Sequence, residues 1–65
     1  MKKKELKNLA ERIAQYEHII QTSQDQDEIK NARAQIMALS SKVKNLEDIM
    51  ILDEMIQDFI GKIWL

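Results

Sequence analysis

The apolar positions of this chain follow a heptad that changes frame once. Leu6, Leu9, Ile13, Tyr16 and Ile20 run at spacings 3-4-3-4, and Ile29, Ala32, Ile36, Leu39, Val43 and Leu46 at 3-4-3-4-3. Both runs have the periodicity of a coiled-coil seam. Kept in frame, the second would next place Met50, Asp53 and Gln57 on the seam. Instead Ile49, Leu52, Ile56, Phe59 and Ile63 open a fresh 3-4-3-4 run, displaced by three residues. A helix turns about 100° per residue, so the displaced stripe faces another side of it. One chain thus carries two apolar faces, which predicts two sets of neighbours.

The pattern predicts a first helix over about 3–22, with Glu5, Lys7, Glu11 and Arg12 outside its seam. The loop is placed at 23–26. Asp25 followed three residues later by Glu28 has capping-box spacing, and acidic residues suit the positive end of a following helix. A second helix should therefore begin near Gln26 or Asp27. From there to Leu46 its length matches that of the first helix. Two equal helices with a short polar connection predict an antiparallel hairpin of coiled-coil type. Its seam would be Leu6, Leu9, Ile13, Tyr16, Ile20, Ile29, Ile36, Leu39, Val43 and Leu46.

Beyond Leu46, no Gly or Pro interrupts Asn45-Leu46-Glu47-Asp48, so helix propensity favours one continuous second helix over about 27–62. It would overhang the hairpin by roughly 25 Å at 1.5 Å per residue. The competing reading makes Asn45 an N-cap with Asp48 at N3, starting a third helix that folds back. Ile49-Met50-Ile51-Leu52 covers every side of a helical turn, and an apolar overhang left in water would be a large patch. The expectation is self-association into a dimer or higher helical bundle. Its surface would be Ile49, Leu52, Met55, Ile56, Phe59, Ile60, Ile63 and Trp64, with Ile19, Met37 and Ile51 as further contacts.

Composition narrows the class to a single all-α domain, residues 1–65. A lone core in a chain of 65 residues is marginal, and without cysteine oligomerisation is the remaining staple. No proline, one glycine and few aromatics argue against sandwiches and barrels, while 45% hydrophobic beside 32% charged residues suits amphipathic helices. No apolar stretch is long enough to span a membrane. Lys2, Lys3 and Lys4 mimic a signal-peptide start, but Glu5, Lys7, Asn8, Glu11 and Arg12 break any apolar segment after it. The reading is soluble and cytoplasmic.

Charge divides where the register does. Residues 1–46 carry nine Lys/Arg against six Asp/Glu, whereas residues 47–65 carry Lys62 against Glu47, Asp48, Asp53, Glu54 and Asp58. The lysine cluster at the start should lie beside Glu47 and Asp48, setting orientation more than stability.

Candidate chemistry is sparse. His18 falls opposite the first seam, in water, with Gln15 where a Glu-x-x-His di-iron pattern needs an acid. A single histidine and no thiol give neither a relay nor a zinc set, and Ser23, Ser40 and Ser41 have no base in reach by pattern. No enzyme, metal or cofactor is expected. A Rop-like RNA-binding dimer of hairpins shares this length and plan. Lys2, Lys3, Lys4, Lys7, Lys30, Arg33, Lys42 and Lys44 could face phosphates. Interleaved acids and a pI near 5.7 disfavour nucleic acid. Trp64 would suit a membrane surface, but the acidic tail does not. Phe59 and Trp64 are better read as anchors of a protein interface.

The run Met1-Lys-Lys-Lys-Glu-Leu-Lys-Asn-Leu-Ala, and Ser41-Lys-Val-Lys-Asn-Leu-Glu-Asp-Ile-Met followed by Leu52-Asp-Glu-Met-Ile-Gln, resembles small uncharacterised helical proteins of phages and mobile elements of low-GC Gram-positive bacteria. The resemblance implies an accessory protein of a group that includes inhibitors of host enzymes and antiviral defence. The expected function is then a non-enzymatic protein-binding module in the bacterial host cytoplasm. It would inhibit or regulate another protein through the apolar C-terminal helix, with a purely structural self-assembling coiled coil as the alternative.

Overall fold

The computed structural model describes residues 2–64, with side chains through Lys62. It is all-helical and holds no strand among those residues. Three helices, α1 (Lys3–Thr22), α2 (Gln26–Ser40) and α3 (Leu46–Trp64), pack together.

The first helix has the predicted bounds. At its end the Ser23 N–H donates to Ile19 O at 2.8 Å and Thr22 Oγ1 donates to His18 O at 2.9 Å, satisfying two terminal carbonyls. Of the next start signal the N-cap forms as read, while the Asp25 N–H donates to Ser23 Oγ at 3.1 Å instead of to the Glu28 side chain of a capping box. Asp25 Oδ1 accepts the N–H of Asp27 at 2.9 Å and of Glu28 at 3.4 Å, and α2 begins at Gln26.

The continuous second helix over 27–62 is not what forms. After Ser40 the ladder tightens, with Lys42 N–H donating to Leu39 O at 3.2 Å and Val43 N–H to Ser40 O at 3.1 Å. Asn45 then restarts the chain as a helix. Its Oδ1 accepts the Glu47 N–H at 2.8 Å, and its carbonyl accepts the Ile49 N–H at 2.9 Å. The physical reason is one of magnitude. Helix propensities differ by only about 0.7 kcal/mol per residue among ordinary side chains. Burying Leu52 and covering Met55, Ile56 and Phe59 is worth about 1.5–3 kcal/mol for each side chain fully removed from water. Tertiary packing wins, and α3 lies on its own chain rather than overhanging it.

Helix α1 occupies the middle. It contacts both α2 and α3, whereas no Cα of α2 comes within 8 Å of one in α3. Leu6, Leu9, Ala10, Ile13 and Ala14 are all buried, a stripe wider than a two-helix seam, as two neighbours require. Ala32 and Leu39 of α2, Val43 of the turn and Leu52 of α3 complete the buried set. Every buried side chain among the described residues is apolar.

Candidate association surface

Where the chain turns from α2 into α3, a groove lies between the end of α2, the turn and the first half of α3. It is lined by Ser40, Val43, Ile49, Leu52, Asp53 and Ile56, with a volume of about 230 Å³. Ile49 is also one of four large apolar side chains that the fold leaves exposed among the described residues. Met37 is 73% exposed, Leu46 73%, Met50 63% and Ile49 43%.

Ser40 faces the groove, and Arg33 and Met37 precede it by seven and three residues, so they share its side of α2. Lys42, just past α2, lines a different depression with Leu9 and Arg12, on the other side of that helix. On α3, Ile49, Asp53, Ile56 and Ile60 recur at spacings of four, three and four on one flank. The opposite flank carries Ile51, Glu54 and Asp58 and lines a groove with Lys3.

The predicted association residues divide. Leu52 is spent inside the chain's own core, and Met55, Ile56 and Phe59 are half-buried against it. Ile60 is half-buried and Ile49 exposed. The side chains of Ile63 and Trp64 lie outside the described residues. Of the predicted seam, Leu6, Leu9, Ile13, Leu39 and Val43 are buried, while Tyr16, Ile20, Ile29 and Ile36 are half-buried. Leu46 is a correction: it opens α3 and points into water, because the chain has already turned at residues 41–45.

Met50, Ala10 and Ala14 were not singled out from the sequence. The alanines had a signal, since they widen the Leu6–Leu9–Ile13 stripe at an i, i+4 interval and let a neighbouring backbone approach. Of the further contacts, Met37 is exposed, whereas Ile19 and Ile51 are half-buried.

The electrostatics follow the charge split. Lys3 lines one groove with Asp48, Glu54 and Asp58, and Lys7 shares the adjoining one with Asp58 and Lys62. The Lys62 Nζ also sits 5.9 Å from the centroid of the Phe59 ring, a cation–π contact. His18 is half-buried rather than in water. Among the described residues, no group of three or more His, Cys, Asp or Glu is placed to hold a metal ion. No helix among them is long and apolar enough to cross a membrane.

No family model, curated protein or solved structure matches the chain.

Proposed function

We propose that this chain is a non-enzymatic protein-association module that works through the groove side of α3 and the adjoining flank of α2. Its α1 and α2 act as an antiparallel hairpin that carries α3. The observation behind the reading is the patch of Leu46, Ile49 and Met50, exposed at i, i+3 and i+4 on α3, with Met37 exposed on α2, in a chain of 65 residues. Small soluble domains rarely leave such a contiguous apolar patch open, and interfaces are the usual reason for one. Methionine suits the role, since its flexible side chain adapts to a partner's relief.

The resemblance to phage and mobile-element proteins makes the partner a bacterial host or defence protein, met in the cytoplasm and inhibited or regulated by docking. RNA binding has less support. Lys3 and Lys7 share their grooves with acidic residues of α3, which lowers the local attraction for phosphate.

The test compares wild type with Ile49→Asp and Met50→Asp in affinity capture from extracts of a low-GC Gram-positive host, read by native mass spectrometry. The variants should keep their helical circular dichroism and lose the captured protein. Equal capture by wild type and both variants would contradict the reading.

A further inference from the structure

The turn between α2 and α3 is made of residues that suit a helix equally well. Residues 41–45 hold neither Gly nor Pro, and no described residue has a positive φ. The left-handed residue that commonly fixes a helix end is therefore absent. Ser41 itself sits in the right-handed helical region, at φ −67° and ψ −15°. Helical bonds flank the turn: the Ser41 N–H donates to Met37 O at 3.0 Å and the Ile49 N–H to Asn45 O at 2.9 Å. Between them the turn rests on the tightened bonds to Leu39 O and Ser40 O, the Ser41 hydroxyl bond to Ala38 O at 2.8 Å and the Asn45 cap. In a straight helix every N–H from Lys42 to Asp48 would donate four residues back.

Straightening also keeps the packing surfaces whole. Helix α3 rests on α1, and no Cα of α2 comes within 8 Å of one in α3, so no helix–helix packing between α2 and α3 is given up. Val43 follows Leu39 by four residues and stays on the α2 seam. Leu46, 73% exposed in the closed chain, joins that seam three residues later. What straightening removes is the cover that Leu52, Met55, Ile56 and Phe59 give the core. A second copy with its own α3 swung out carries the same surfaces and restores that cover.

We propose that this chain has a second folded form, a two-fold dimer that exchanges α3. In it residues 41–45 are helical, α2 and α3 are one helix, and α3 of each copy covers α1 of the other. The partner is a second copy because it presents the α1 face that α3 already fits. The frame break then separates a run that serves the chain's own α1 from one that serves the partner's. Dilute chains close on themselves, since closure needs no encounter. Chains folded dilute and then concentrated stay closed, because exchange requires Leu52 to leave the core.

The experiment refolds the full chain slowly from urea at about 5 μM to 1 mM, a range that spans micromolar to submillimolar dimers, and sizes it by light scattering. Wild type should be 7.7 kDa at the dilute end and gain a species of twice that mass at the concentrated end. Asn45→Ala removes a cap that only the closed turn uses. The effect is roughly fivefold per chain, and two turns convert per dimer, so the dimerisation constant should rise about 25-fold. Lys44→Gly, at an exposed position, puts a poor helix former into the straightened segment and should lower the constant by a similar factor. When labelled and unlabelled chains are refolded together, an isotope-filtered NOESY of the dimer should show Leu52 methyl contacts to Leu6, Leu9 or Ile13 between molecules.

A chain that is monomeric after refolding at every concentration overturns the proposal. So does a dimer whose Leu52 contacts remain within one molecule, or one to which Asn45→Ala and Lys44→Gly make no difference.

Discussion

The side-chain oxygen of Asn45 accepts the backbone N–H of Glu47 at 2.8 Å, and this bond marks where one predicted helix becomes two. Asn45→Ala should cost about 1 kcal/mol, the usual loss for an N-cap of this type. In a domain of this size that is a fall in Tm of about 4–8 °C. Asn45→Asp should be near neutral, because a carboxylate caps as well and favours the helix N-terminus. Equal melting temperatures for Asn45→Ala and wild type would place Asn45 inside an uninterrupted helix instead.

Leu52 and Met50 are two residues apart and should behave oppositely. Leu52 is 5% exposed and belongs to the core cluster, so Leu52→Ala should cost about 2–5 kcal/mol. That is comparable with the whole stability expected of so small a core, and the variant should lose its cooperative melt. Met50 is 63% exposed, and Met50→Ser should stay within about 0.5 kcal/mol in urea titration. Similar losses at both positions would mean that Met50 also belongs to the core.

Much of this was legible in the chain. The spacing of Leu6, Leu9 and Ile13 gave the buried face of α1, and Asp25 with Glu28 gave the start of α2. The displaced run from Ile49 gave a second apolar face. What spacing could not give was where that face turns. Without Gly or Pro near Asn45, local propensity differs by tenths of a kcal/mol between a continuous and a broken helix, and the decision belongs to contacts distant in sequence. Leu52 was legible as apolar but not as internal. Met50 was legible only once α3 had been seen to use its other side.

Ala10 and Ala14 leave no accessible surface, which makes their small size a requirement. Ala10→Leu or Ala14→Leu should destabilise the chain by about 1–3 kcal/mol through overpacking. Ala38→Leu, on the exposed side of α2, should be nearly silent. Chemical denaturation of the three variants checks this. A tolerated leucine at both buried positions would show that α1 has only one close neighbour.

Lys3 lies on one groove with Asp48, Glu54 and Asp58, all on α3. Lys3→Glu should lower stability by no more than about 1 kcal/mol, as befits an exposed cluster. The difference from wild type should shrink in about 1 M salt, where the screening length falls to ~3 Å. A salt-independent loss would point to packing by the lysine stem rather than to charge.

The central claim is that α3 folds onto its own α1 and leaves the α2–α3 flank for association. An isotope-filtered NOESY on a mixture of labelled and unlabelled chain tests it most directly. The methyls of Leu52 should show contacts to Leu6, Leu9 or Ile13 in the intramolecular spectrum. Leu52 contacts to α1 that appear only between molecules would contradict the account, because they would mean that α3 reaches across to another copy as part of one long helix.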